Sequence, residues 1–251
     1  MSNPLRIAMW SGPRNISTAM MRAWGNRPDT AVCDEPLYAH YLQHTGLDPP
    51  GAAAVIAHHE PDWRKAVAGL VGAVPGGKAI FYQKHMAHHL LPHIGRDWLG
   101  GLTHAFLIRH PREMIASLAK ILPDPTPGAT GLPQQVEIFE WVRSRTGTSP
   151  PVVEARDVLR DPRRLLGLLC GRLGVPFSEA LLSWPPGRRP TDGIWAEHWY
   201  QSVERTTSFQ PDTPSPGPVP EHLDGLLAEC TPYYEALHRH RLGQADPHEE
   251  R

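Results

Sequence analysis

At 251 residues the chain can bury a sizeable core in one α/β domain, and its net charge of −1 gives no basic face of the kind nucleic acid requires. Its three cysteines (Cys33, Cys170, Cys230) are odd in number and widely spaced, which argues against a disulfide framework or a zinc ribbon. With no basic-then-apolar leader and no long apolar run, the expectation is a soluble, cytoplasmic protein without a membrane partner.

Residues 5–10 are a compact apolar run and predict a central strand. The strand runs into Ser11-Gly12-Pro13-Arg14-Asn15-Ile16-Ser17-Thr18, a tight turn and a cation followed by hydroxyls that open a helix. That helix is expected over 17–24 and is stopped by Gly25-Asn26 and Pro28. The arrangement is an anion cradle, because the first helical N–H groups lack intrahelical partners and the helix dipole adds positive potential there. Arg14 supplies a full charge and a donor fork suited to oxyanions. The segment is not a nucleotide-triphosphatase loop, G-x-x-x-x-G-K-[ST]: the hydroxyl pair follows Ile16 and there is no second glycine. The missing lysine–hydroxyl pair disfavours a P-loop kinase using ATP and magnesium, which stays as the alternative enzyme. Taken alone, the segment also fits an ordinary strand–turn–helix junction with a surface arginine.

Residues 30–33 read as a short strand that delivers Asp34-Glu35-Pro36, and 62–74 as a helix with the apolar stripe Trp63, Val67, Leu70 and Val71. A strand over 78–82 leads into Gln83-Lys84-His85. The clearest strand, 104–108, is followed by Arg109-His110-Pro111 and a helix through Ala119. Residues 134–143 are helical, 151–155 a final strand, and 162–173 a helix closed by Gly174. The 28 prolines cluster at 122–133, 185–190 and 211–220, marking loops, and no internal repeat is found. The expected division is an α/β core over 1–182 and a Pro-rich arm over 183–251, packed on the same domain, with a closing helix over 221–237. The aromatic segment 192–200 fits both an acceptor wall or lid and plain packing of the arm.

This alternation predicts a three-layer α/β fold with a mainly parallel central sheet flanked by helices. Ligands bind at the carboxyl ends of such strands, which gathers Arg14, Glu35, Lys84, His85 and Arg109 at one edge.

The segment Leu107-Ile108-Arg109-His110-Pro111-Arg112-Glu113-Met114-Ile115-Ala116-Ser117 resembles the part of sulfotransferases that holds the 3′-phosphate of 3′-phosphoadenosine 5′-phosphosulfate. There an arginine ends a strand and a serine follows eight residues later, the separation of Arg109 and Ser117. The 11–18 segment is similar to the family's 5′-phosphosulfate loop, with Arg14 as cation, Asn15 as polar loop residue, and Ser17 and Thr18 as phosphate-contacting hydroxyls. Ile16 stands where the family commonly has glycine. Gln83-Lys84-His85 is similar to a Lys-x-His motif, which would make His85 the catalytic histidine, although Gln83 replaces the lysine and Lys84 lies one place off. Asp34-Glu35-Pro36-Leu37 looks instead like the carbohydrate-type version, with Glu35 as base, and the sequence does not choose between the two. The stretch 152–177 follows the family pattern without its tyrosine. The C-terminal Arg-Lys-Gly is absent, with Arg188-Arg189 as possible substitutes.

The resemblance implies a P-loop NTPase-like fold and sulfuryl transfer from 3′-phosphoadenosine 5′-phosphosulfate to a hydroxyl or amine of a small-molecule acceptor. Lys84 would protonate or bridge the breaking oxygen. A catalytically silent nucleotide-binding module is the alternative outside enzymes. His85, His88, His89 and His93 invite a metal, with His85 and His89 at helical spacing, but H-E-x-x-H placement and cysteine ligands are lacking, so no metal is expected.

Overall fold

The computed structural model describes residues 4–210 and 217–243. Five strands, β1 (Leu5–Ser11), β2 (Thr30–Asp34), β3 (Ile80–Met86), β4 (Thr103–Ile108) and β5 (Val152–Glu154), form one parallel sheet in the order β2-β3-β1-β4-β5. This is the P-loop-like architecture. Parallel strands buried on both faces are predominantly apolar, and successive side chains feed opposite cores. Ile7, Met9, Ala105 and Leu107 enter one core, with Met20, Trp24 and Tyr82. Ala8, Trp10, Phe106 and Ile108 enter the other, with Leu99, Ile115 and Phe139.

The helices begin and end where their terminal chemistry dictates. Pro111–Leu118 starts with proline at a position whose N–H would be unpaired, and His110 Nδ1 accepts from the Arg112 N–H at 3.2 Å. Pro162–Leu173 is capped by Asp161, whose Oδ1 accepts from the Arg164 N–H at 3.1 Å, and is closed by Gly174 at φ 71°. The helix expected over 62–74 is shorter, Trp63–Val71, whereas that over 134–143 is longer, Leu132–Thr146.

One boundary matters for the site. The third strand is shifted relative to 78–82: Gln83, Lys84 and His85 lie inside β3, paired with Ala8, Met9 and Trp10 of β1. The pleat therefore sends Lys84 to one face of the sheet and Gln83 and His85 to the other.

Connections leave β1 toward β2 on one side and β4 toward β5 on the other, so the crevice at the carboxyl ends of β1 and β4 is the topological switch point. Within the segment expected to be the arm, Trp195 and Tyr200 pack into the first core, and Asp224–His238 packs in the second core through Cys230, Tyr234 and Leu237. The expected closing helix over 221–237 is a 3-10 turn, Glu221–Leu223, that continues into Asp224–His238. Parts of the expected arm, 211–216 and 244–251, lie outside the described residues. Among the described residues no helix is long and apolar enough to cross a membrane.

Candidate active site

The loop after β1 is set by close packing. A Cβ on Gly12 would sit 2.3 Å from the Thr130 carbonyl oxygen, so no side chain fits between the loop and the 126–131 segment. Beneath it, buried Gln135 donates from Nε2 to the carbonyls of Trp10 and Leu107, both at 3.1 Å, stitching the ends of β1 and β4 together. Asn15 adds a third stitch, Nδ2 to the Leu107 carbonyl at 3.0 Å, while its buried Oδ1 has no hydrogen-bond partner among the described residues.

The helix Ser17–Gly25 that follows has no side-chain cap at Ile16, so its first N–H groups are not satisfied by a capping side chain. The Ile16 backbone, at φ −84°, is open to any L-residue, and its side chain packs on the first core. The unusual conformation falls on Arg14 instead. At φ 58° it is one of two non-glycine residues at positive φ among the described residues; the other is Glu35, at φ 42°. Left-handed backbone at non-glycine residues costs about 1–3 kcal/mol and concentrates at functional sites.

Arg14 Nε donates to Ser117 Oγ at 3.0 Å, and an Arg109 guanidinium nitrogen donates to the Arg14 carbonyl at 2.9 Å. Two guanidinium groups and a hydroxyl thus converge between β1 and β4. Partial burial first, and then the Arg109 charge, lower the Arg14 pKa, the electrostatic signature of a place that favours an anion. Arg109 is held from behind by Glu113, Nε to Oε2 at 3.1 Å, and Glu113 also pairs with Arg156.

Glu35 follows β2. Its carboxylate accepts from Lys84 Nζ, which also donates to Asp34 Oδ1 at 2.8 Å and to the Tyr200 hydroxyl at 2.9 Å. An ammonium has three N–H donors, and these three partners use them all. Burial by itself would lower the Lys84 pKa, but Asp34, Glu35 and Tyr200 outweigh it and hold it well above its usual value. The Glu35 pKa is raised as well, which for a carboxylate disfavours the charged form. Burial raises its pKa, Lys84 pulls it back, Asp34 adds to the rise, and the net direction is upward. His89, stacked on Tyr38 and Tyr41 at 4.7 Å each, places Nδ1 3.9 Å from Glu35 Oε2, and burial keeps its imidazole neutral, well below the usual range.

Arg14, Asn15, Ile16, Ser17, Thr18, Glu35, Lys84, Arg109 and Ser117 all line one cavity of about 810 Å³. His85 does not join them. The pleat of β3 turns it to the opposite face of the sheet, where its ring stacks on Trp10 at 4.4 Å and its Nε2 lies 3.2 Å from Gln83 Oε1. Burial, then His104 and Lys84, push its pKa down to about 3. The helical spacing imagined for His85 and His89 is absent as well, since His85 is in β3 and Ala87–His89 is a 3-10 turn. Neither Arg188 nor Arg189 lines the cavity, and Arg189 is engaged with the Pro185 carbonyl at 3.2 Å.

Three comparisons with known proteins bear on this geometry. A family profile described as "Sulfotransferase domain" matches residues 5–241. The chain belongs to the sulfotransferase family. Among solved structures, this sulfotransferase resembles the "Sulfotransferase Domain from the Curacin Biosynthetic Pathway" at TM-score 0.51 and 16% identity, covering 91% of this chain and 98% of that one. It also resembles a sulfotransferase from Alicyclobacillus acidocaldarius at TM-score 0.50 and 12% identity, covering 96% and 98%. At these identities the likeness is one of fold. Two Arabidopsis thaliana proteins named "Branched-chain-amino-acid aminotransferase-like protein" 1 and 2 are 36% and 34% identical over 96% and 93% of this chain. The chain spans only 43% and 41% of their lengths.

Sequence reasoning missed two residues of this sulfotransferase's buried network. Asp34 sits beside Glu35 and accepts from Lys84, from the Tyr200 hydroxyl at 2.8 Å and from the Gly193 N–H at 3.2 Å. Tyr200 arrives from 166 residues further along the chain, so only its place in an aromatic-rich stretch marked it. Through these bonds the 192–200 segment is tied to the end of β2, and its Trp195, Trp199 and Tyr200 form cavity wall.

Proposed function

We propose that this sulfotransferase moves a sulfuryl group from 3′-phosphoadenosine 5′-phosphosulfate to a hydroxyl or amine of a small-molecule acceptor. The observation that carries this reading is the convergence of the uncapped helix start, Arg14, Arg109 and Ser117 at one end of the cavity that also holds Glu35. The donor is a doubly anionic-ended nucleotide. The loop N–H groups, Ser17 and Thr18 would hold its 5′ end, and Arg109 with Ser117 its 3′-phosphate, leaving Arg14 between them.

Transfer requires the acceptor oxygen to approach sulfur in line with the leaving phosphate oxygen, so positioning and charge balance dominate. Arg14 and the loop N–H groups stabilise charge that builds on the leaving phosphate. Glu35 takes the acceptor's proton: its raised pKa makes it a stronger base than an ordinary carboxylate. Lys84, with its donors occupied, orients Glu35 and keeps it ionised rather than bridging the breaking bond. The aromatic wall of Tyr38, Tyr41, Trp195 and Trp199 would receive the acceptor's apolar body.

The aminotransferase in the relatives' names is not proposed for this chain. A Schiff-base lysine must lose its proton, and Lys84 is locked in its charged form by two carboxylates. Calorimetric titration with adenosine 3′,5′-bisphosphate in the absence of magnesium tests the donor. Binding is expected, weakened about tenfold or more by Arg109→Ala, since a charged hydrogen bond contributes about 1.5–3 kcal/mol. Binding of ATP-magnesium with none of the bisphosphate would overturn the assignment in favour of a kinase.

A further inference from the structure

The helix Tyr38–Thr45 turns Tyr38, Tyr41 and Leu42 toward the cavity. His40 and His44, one helical turn apart, share a different face. There they meet His93, which follows Leu91-Pro92 in the segment after β3. His40 Nδ1 lies 2.9 Å from the Pro61 carbonyl oxygen. A carbonyl only accepts, so Nδ1 carries the proton and Nε2 presents a lone pair. That Nε2 is 2.8 Å from Nε2 of His93, and the His44 ring centroid is 4.1 Å from that of His93. One ring nitrogen from each histidine lies within 4.8 Å of the other two.

We propose that His40, His44 and His93 form a three-imidazole site for a borderline first-row divalent cation, with Zn²⁺ as the reference ion and water in the remaining coordination position. Zinc–nitrogen bonds of about 2.0–2.1 Å in a tetrahedron hold ligand nitrogens about 3.4 Å apart. His40 and His93 must open slightly and His44 must close, and rotation of the exposed His44 and His93 rings supplies both movements. The Pro61 carbonyl is the outer-shell acceptor that fixes a ligating imidazole in the correct tautomer. Imidazole nitrogen without carboxylate selects zinc-like ions against magnesium.

Two cations face His93. Arg64 is stacked over the Trp63 ring at 4.6 Å, and Arg96 is paired with Glu137 at 3.0 Å. A bound ion would tie the cavity-wall helix to the segment that carries His88 and His89 into the same cavity. The proposal does not depend on the nucleotide reading.

The test is calorimetric titration of the untagged, metal-free full chain with Zn²⁺, with Mg²⁺ as control, together with thermal unfolding. One zinc per chain is expected, with no magnesium heat, and a rise in Tm of about 5–10 °C at 100 times the Kd. His44→Ala and His93→Ala should each weaken zinc binding by more than the roughly 10–100-fold lost with an outer-shell partner. Absence of zinc binding would overturn the proposal. So would zinc binding undiminished in the folded His44→Ala/His93→Ala double variant, because other histidines of the chain would then be responsible.

Discussion

At the scale of single residues, the chemistry of the site turns on how Lys84 divides its three donors among Asp34, Glu35 and Tyr200. Because burial raises the Glu35 pKa and Lys84 lowers it, removing the ammonium should raise it further. A base must be ionised to act, so turnover with Glu35 as base rises with pH through its pKa. The Lys84→Met variant is therefore expected to show the acidic limb of its kcat/KM profile at higher pH than the wild type. Donor affinity should change little, since the Lys84 ammonium bonds to Asp34, Glu35 and Tyr200 rather than to the groups assigned to the donor phosphates. An acidic limb that stays in place would remove Glu35 from the role of base. Neither the pairing nor its direction was legible from Gln83-Lys84-His85, which reads with equal ease as a displaced Lys-x-His. The decision between Lys84 and His85 belongs to the pleat: neighbouring residues in a strand point to opposite faces.

At the scale of elements, the strand–loop–helix unit of β1, the 12–16 turn and Ser17–Gly25 works because its loop is held against the 126–131 segment. Gly12 is required there for space rather than for backbone freedom, since any Cβ would collide with a main-chain carbonyl at 2.3 Å. Gly12→Ala is expected to lower stability by about 1–3 kcal/mol, the usual effect of overpacking, and to weaken bisphosphate binding as the loop is displaced. Urea unfolding combined with the same titration checks both. Unchanged binding would show that loop position is not coupled to donor recognition. This unit was the most legible part of the chain, as apolar run, turn and hydroxyls mark it locally. The position of Ile16 is also explained here: the positive φ falls two residues earlier, on Arg14, so glycine is unnecessary at 16.

At the scale of the whole molecule, the buried imidazoles couple the fold to pH. His85 is held at about 3 and His88 at about 4, both chiefly by burial, against an ordinary value near 6.5. The unfolded chain takes up these protons first, so the stabilising contribution is intact above about pH 6.5 and is lost as pH falls toward the folded-state values. Each such group removes about 1.4 kcal/mol per pH unit across that window. His85→Phe keeps a ring against Trp10 and should lessen the loss between pH 6 and pH 5 by about 1 kcal/mol, measured by urea unfolding at both pH values. An identical pH slope in wild type and variant would mean that His85 takes up protons in the native state.

By itself the sequence determined the alternation of strands and helices, the strand–turn–helix unit that carries Arg14, and the spacing of Arg109 and Ser117. All of these depend on periodicity, turn residues and short spacings, which local chemistry sets. Only the tertiary structure decided that Lys84 faces the cavity and His85 does not, because a shift of strand boundary changes which residues share a face. It also recruited Asp34 and Tyr200 into one buried network, and His40, His44 and His93 into one cluster. Those groupings join residues up to 166 positions apart, and packing rather than local sequence brings such residues together.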